Sequence, residues 1–290
     1  MERLRSECLS CVIKNQIEKF PKGTPEEQKI KYMQEVFSIL SHAEMTESAP
    51  VIVRKINQLQ EEMFQMTNEY GRIKTYFNDV MMGYESDIIQ RLEESEDPLK
   101  LAIQYSMIGN YIDFGAMKHV DEEYLTNLLN SAKDNPIDEK TYECLKQDLQ
   151  NGENLVFLTD NCGEVVMDKL LIQTIQKRYP DLKITAIVRG KDVLNDATME
   201  DAVQIGLTNL VEVIGNGNGI AGTCLEELSK EAEEKIEKAD VILSKGQGNF
   251  ETLRKCGRNV YYIFLCKCDM FANLFQVEKF TGMLINDKDC

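Results

Sequence analysis

The chain has 290 residues, of which 43% are apolar, and a formal net charge of −16. That length allows one large domain or two smaller ones around a buried core, and no apolar run reaches the roughly 18 residues that a membrane span needs. So acidic a surface repels a phosphate backbone, which argues against a nucleic-acid partner and requires any anionic substrate to be met by a metal or by placed Lys and Arg.

The N-terminus, residues 1–10, is charged and lacks the apolar stretch of a secretory leader. A cytoplasmic protein without membrane association is expected. The nine cysteines are odd in number and scattered, which favours reduced thiols over a disulfide framework. His42 and His119 are the only histidines, so a His-rich zinc site and a Ser-His-Asp triad are both poorly supplied.

Residues 1–150 carry helical spacing and form an expected helical N-terminal domain. Pro25 can open a helix bearing Ile30, Met33, Val36, Phe37 and Leu40. A long amphipathic helix is expected over 49–77, with Ile52, Ile56, Leu59, Met63, Met66 and Tyr70 on one face. More helix is expected over 87–92 and 98–108, and no convincing strand precedes residue 153.

From residue 151 to 290 short apolar runs alternate with amphipathic helices. Strands are expected over 154–158, 183–188, 210–214, 241–243 and 260–265. Helices are expected over 164–178, 199–205, 225–238, 250–256 and 269–275. This alternation predicts right-handed crossovers and a mostly parallel sheet. Such sheets bind ligands at the carboxyl ends of their strands.

The loops after the expected strands therefore hold the candidate site. The first carries Asp160, Asn161 and Glu164; the second Arg189, Asn195 and Asp196; the fourth Lys245, Gly246, Gly248 and Asn249. Asp160, Asn161 and Asp196 offer oxygen ligands of the kind that Mg²⁺ or Mn²⁺ prefer. An ion so held keeps positions open for water and a substrate phosphate. Lys245 would add positive charge for the phosphate, and the backbone at Gly246 and Gly248 can approach closely ahead of a helix N-terminus. Asp160-Asn161 and Asn195-Asp196 are also open to a plainer role as helix caps. The glycine-rich run at 215–222 follows the third strand without a basic residue, and reads as a turn rather than a dinucleotide fingerprint.

Together these blocks resemble the damage-control phosphatases, catalogued as domain of unknown function 89. The matching blocks are Asp160-Asn161-Cys162-Gly163-Glu164, Leu194-Asn195-Asp196-Ala197-Thr198 and Lys245-Gly246-Gln247-Gly248-Asn249-Phe250-Glu251. Gly109-Asn110-Tyr111-Ile112-Asp113-Phe114-Gly115 and Cys8-Leu9-Ser10-Cys11 resemble blocks of the mainly prokaryotic branch. The resemblance spans essentially the whole chain. It implies a helical N-terminal region packed on a Rossmann-like α/β/α sandwich, a divalent cation (Mg, Mn, Co or Ni) on Asp160, Asn161 and Asp196, hydrolysis of small phosphorylated metabolites, phosphate contact by Lys245, and a reach into the pocket by Asn110 and Asp113. Arg189, Asn195, Glu164, Gly246 and Asn249 are further candidates for substrate contact. Cys162 stands where many relatives have alanine, which puts a thiol beside the metal.

Cys8 and Cys11 supply half of a possible second metal site, which Cys266 and Cys268 could complete if the fold brings the chain ends together. A structural or packing role for the pair is the first alternative, and redox chemistry a further one. For the reaction, direct attack by metal-oriented water is expected. An aspartyl-phosphate route needs a second Asp two residues after the nucleophile, where Cys162 stands. The competing functions are an S-adenosylmethionine-dependent carboxyl methyltransferase and a non-catalytic metabolite-binding protein.

Overall fold

The strands β1 (Asn154–Leu158), β2 (Lys183–Val188), β3 (Glu212–Gly215), β4 (Val241–Lys245), β5 (Val260–Leu265) and β6 (Gly282–Asn286) form one sheet in the order β3-β2-β1-β4-β5-β6. The computed structural model describes residues 4–65, 70–110 and 122–289. All pairings are parallel except that of β6 with β5. The expected mostly parallel α/β architecture is therefore present. Three of the strand bounds coincide with the apolar runs. A strand covered on both faces must be apolar along its length, so β1, β4 and β5 read as continuous runs.

β6 went unforeseen. It is an edge strand buried on alternate residues only, so its apolar signal is short. The third strand begins two residues later than expected, because residues Leu207–Asn209 tighten into a 3₁₀ turn first.

The helices between the strands are α9 (Glu164–Arg178), α10 (Met199–Gln204), α11 (Lys230–Glu237), α12 (Gly246–Leu253) and α13 (Asp269–Phe275). The single helix expected over 225–238 is a 3₁₀ turn, Leu225–Glu227, followed by α11. Ser229 caps α11 by accepting from the Ala232 N–H. α12 starts at Gly246, directly off β4, rather than at 250.

Before the sheet come α1 (Ser6–Glu18), α2 (Glu26–Ser41), α3 (Ala49–Phe64), α4 (Tyr70–Met82), α5 (Glu85–Glu94), α6 (Pro98–Gly109), α7 (Glu122–Asn130) and α8 (Glu139–Asn151). The long helix expected over 49–77 is two helices. α3 stops where Gln65 turns left-handed at φ 51° and returns its N–H to Glu61, and α4 begins at Tyr70. Met66 lies outside the described residues. Among the described residues no strand precedes β1.

Residues of α4–α6 and α8 share a core with one face of the sheet. Phe77, Met81, Ile88, Ile103, Met107 and Leu145 belong to the same buried cluster as Phe157, Val166 and Ile263. α6 is buried almost all round, which suits a helix between two layers. Asp97 caps it and Pro98 occupies its first turn. The other face of the sheet is filled by Phe250, Phe264 and Phe271. α1–α3 enclose a separate small cluster of Val12, Tyr32, Val36, Ile52 and Ile56. No helix among the described residues is long and apolar enough to cross a membrane.

The run 215–222 seats on α12 with no room to spare. A Cβ at Gly248 would stand 2.2 Å from the Ala221 carbonyl oxygen. Gly248→Ala should therefore cost about 1–3 kcal/mol of stability in urea unfolding. An unchanged midpoint would show that the loop does not pack there.

Candidate active site

The chain leaves β1 toward β2 and β3 on one side, and β4 leads to β5 on the other. Between β1 and β4 lies the switch point where a doubly wound sheet opens a crevice. Backbone bonds stitch the loops after β1 and β2 together there. The Ala197 N–H donates to Asp160 O at 2.7 Å and the Cys162 N–H to Asn195 O at 2.8 Å, while Asn161 and Asp196 form an antiparallel bridge. Asp160, Asn161 and Asp196 are thereby brought side by side. Asn195 and Asp196 do not cap α10. Thr198 does, in a capping box with Asp201.

The side chains form one hydrogen-bonded cluster. Asn161 Nδ2 donates to Asp160 Oδ2 at 2.8 Å and to Glu164 Oε2 at 2.9 Å. Asn110, at the end of α6, donates to Glu164 Oε2 at 2.8 Å and to Asp160 Oδ2 at 3.2 Å. Arg189 Nε donates to Asp196 Oδ2 at 2.6 Å, and the far nitrogen Nη2 reaches Asp160 Oδ1 at 3.4 Å. Asp160 alone among the charged members here keeps an open side, 13% exposed. Burial first, then the neighbouring charges of Asp196 and Glu164, push its carboxyl well above the usual carboxylate range. Gly246 makes this close approach possible. It sits at φ 78°, and a Cβ there would fall 1.9 Å from Asp160 Oδ2.

Lys245 does not face an open phosphate position. Its side chain is fully buried, and its ammonium meets Glu164 Oε1 at 2.5 Å, Ser106 O at 2.8 Å and Asp168 Oδ1 at 3.1 Å. Three donors thus have three acceptors. Burial alone would depress the ammonium, but the Asp168 and Glu164 charges outweigh it and raise its pKa. Arg189, Glu164, Asn110 and Asn249 are likewise spent inside. Asn249 donates to Thr159 O and Lys245 O, and its Oδ1 accepts from Thr223 Oγ1 and Arg189 Nη1. These residues, named above as candidates for substrate contact, build the floor that holds the carboxylates. Asn195 is buried with its Nδ2 unpartnered.

Asp168 and Ser106 went unforeseen. Ser106 Oγ donates to Asp168 Oδ1 at 2.7 Å. The available signal was spacing: Glu164 and Asp168 lie one turn apart on α9, as Ser106 and Asn110 do on α6. Lys267, after β5, is half-buried and close enough for its charge to act on Asp160. α4 steadies the rim, since Asn78 Oδ1 accepts from the Gly163 N–H at 2.7 Å and Lys74 pairs with Asp201 at 2.8 Å. The Cys162 thiol is buried and its pKa is driven far up, mainly by desolvation, so it is a protonated packing group beside the site. Asp113 lies outside the described residues.

Cys8 is half-buried and Cys11 exposed. Cys8 packs against the same buried cluster as Cys268, and the charges of Cys268, Cys11 and Glu251 act on it, so the fold does bring the chain ends together. Among the described residues no three or more His, Cys, Asp or Glu side chains are arranged to hold a metal. The run 215–222 is filled by its own contacts. A Cβ at Gly190 would stand 2.4 Å from the Gly217 nitrogen.

The fold and site define a Rossmann-type α/β protein with an acidic cluster at its switch point. The family described as damage-control phosphatase ARMT1-like domain matches residues 4–282, and the chain belongs to it. A damage-control phosphatase of Archaeoglobus fulgidus is 31% identical over 79% of this chain and 81% of its own length. A damage-control phosphatase of Pyrococcus horikoshii is 30% identical, with 99% of both chains covered. An uncharacterized protein of Methanocaldococcus jannaschii is 27% identical over 98% of this chain and 95% of its own. Among solved structures, a DUF89 family protein of Pyrococcus horikoshii superposes with a TM-score of 0.80 at 26% identity, covering 98% of this chain and 99% of that one.

Asp168 also carries a pH signature. Burial, partly offset by Lys245, raises its carboxyl to about 7. A carboxyl whose folded pKa lies above its unfolded one favours the fold below the unfolded value, and that contribution is lost as pH rises toward about 7. Asp168→Asn should therefore lose more stability relative to wild type at pH 5 than at pH 8 in thermal melts. A pH-independent difference would contradict the assignment.

Proposed function

We propose that the protein is a divalent-metal-dependent phosphatase of small phosphate esters, such as sugar phosphates or damaged phosphometabolites. One observation carries this reading. Among the described residues Asp160, Asp196, Glu164 and Asp168 crowd together against two buried cations, Arg189 and Lys245, with the half-buried Lys267 acting on Asp160. The carboxylates outnumber these cations, and a divalent cation would balance the remainder. The donor set fits such an ion, since carboxylates and an amide carbonyl are hard oxygen ligands. The names of the relatives from Archaeoglobus and Pyrococcus support phosphate-ester hydrolysis.

Asp160, Asn161 and Asp196 would hold the cation. When bound, it supplies Lewis-acid polarisation of a phosphoryl oxygen and a site for water. The chain does the rest by placement. Asn110 and Asn161 aim Asp160, and Lys245 pairs with Glu164 behind it. Lys267 adds positive field near Asp160, where a phosphate would enter. No carboxylate lies two residues after Asp160, so the proposal takes attack by water rather than an aspartyl-phosphate. The same reading takes the protein as cytoplasmic, in keeping with eight described cysteines that are all free. Nothing specific favours a methyltransferase, because the glycine-rich segment is occupied by contacts to Gly190 and α12.

The test is hydrolysis of p-nitrophenyl phosphate with Mg²⁺, Mn²⁺, Co²⁺ or Ni²⁺. Activity should vanish in EDTA and fall on the order of 10²-fold or more in Asp160→Ala and Asp196→Ala. Absence of hydrolysis with every metal, or a trapped phosphorylated Asp160, would refute this scheme.

A further inference from the structure

Arg189 ends β2 with its guanidinium buried, 2% exposed, too deep to serve as a hand for a substrate phosphate. It is held from two sides. In front are Asp196 Oδ2 at 2.6 Å and Asp160 Oδ1 at 3.4 Å. Behind, Nη1 donates to Gly222 O at 3.0 Å and to Asn249 Oδ1 at 3.2 Å.

The rear anchors do not depend on the carboxylates. Asn249 is itself locked by Thr159 O, Lys245 O and Thr223 Oγ1. The Gly222 carbonyl is presented by a loop that closes on α12 without side chains. A Cβ at Gly222 would meet Thr252 Cγ2 at 2.7 Å and Gly248 O at 2.8 Å. The guanidinium is therefore pinned rather than poised to swing out, and arginine does not give up its proton.

We infer that Arg189 is a resident counter-cation and positioning residue for the metal pair: it orders Asp160 and Asp196 before an ion arrives, stays when the ion is bound, and weakens the ion's binding. This rests on the metal reading above. The effect is electrostatic. Two cations sharing one carboxylate pair in a poorly solvated site repel each other, so the fixed charge of Arg189 opposes the incoming ion. It also gives the glycine-rich run at 215–222 a purpose, which is to carry the rear anchor. The consequence for turnover is a site preordered without metal that still exchanges its ion with solvent.

A purely structural arginine and a counter-cation predict opposite signs. Loss of a scaffold residue loosens metal binding, whereas loss of a competing charge tightens it. The experiment is calorimetric titration of the full chain with MnCl₂, with thermal midpoints in EDTA alongside. It compares wild type, R189M, R189Q, R189K and D160N. R189M and R189Q should melt below wild type in EDTA yet bind Mn²⁺ about tenfold or more tightly. R189K, which keeps the charge, should stay within about threefold of wild type, and D160N should lose the binding. Should R189M fail to fold without metal, R189Q supplies the same comparison. Mn²⁺ binding by the neutral variants that is equal to or weaker than wild type overturns the inference and leaves the metal reading standing. No Mn²⁺ binding by wild type overturns both.

Discussion

The structure turns on a concentration of buried like charge. Four carboxylates converge at the switch point, and burial makes their mutual repulsion expensive because little water screens it. Arg189 and Lys245 offset part of it from opposite sides. Arg189 sits between the loops after β1 and β2, and Lys245 lies beneath α9 where it is shared by Glu164 and Asp168. What remains is met by raised carboxyl pKa values in the metal-free protein and, on the reading proposed above, by a divalent cation in the working one.

This arrangement explains why the helical region is bound to the sheet rather than merely attached. α6 delivers Ser106 to Asp168 and Asn110 to Asp160 and Glu164, so the helix completes the floor of the crevice. α4 grips the rim through Asn78 and Lys74. These polar contacts cross the same interface that Phe77, Met81, Ile103 and Met107 bury. The apolar contacts set the distance between the layers, and the hydrogen bonds set the register of the acidic loops.

A family likeness and a parallel sheet direct attention to residues at strand ends, and there they serve well. They do not say which of those side chains face the crevice. Lys245 beside two glycines reads as a phosphate hand because a lysine at a strand end is usually solvated. Here two carboxylates one turn apart on α9 draw it inward, and the mobility of a long side chain makes both positions reachable from the same backbone. Arg189 reads the same way and is captured for the same reason. Asp168 and Ser106 were visible only as members of helical faces, where a polar residue on a mostly apolar helix ordinarily means solvent.

By itself the sequence determined the alternation of apolar runs and amphipathic helices, hence the parallel sheet, and with it the clustering of Asp160, Asn161 and Asp196 near one edge. These follow from periodicity and chain direction, which are local properties. The tertiary structure alone decided which cations pair with which carboxylates. It also decided that the helix at 49–77 breaks and that the glycine run braces Arg189. Those outcomes depend on distances between residues far apart in the chain, and on the cost of burying a charge without a partner, neither of which spacing along the chain encodes.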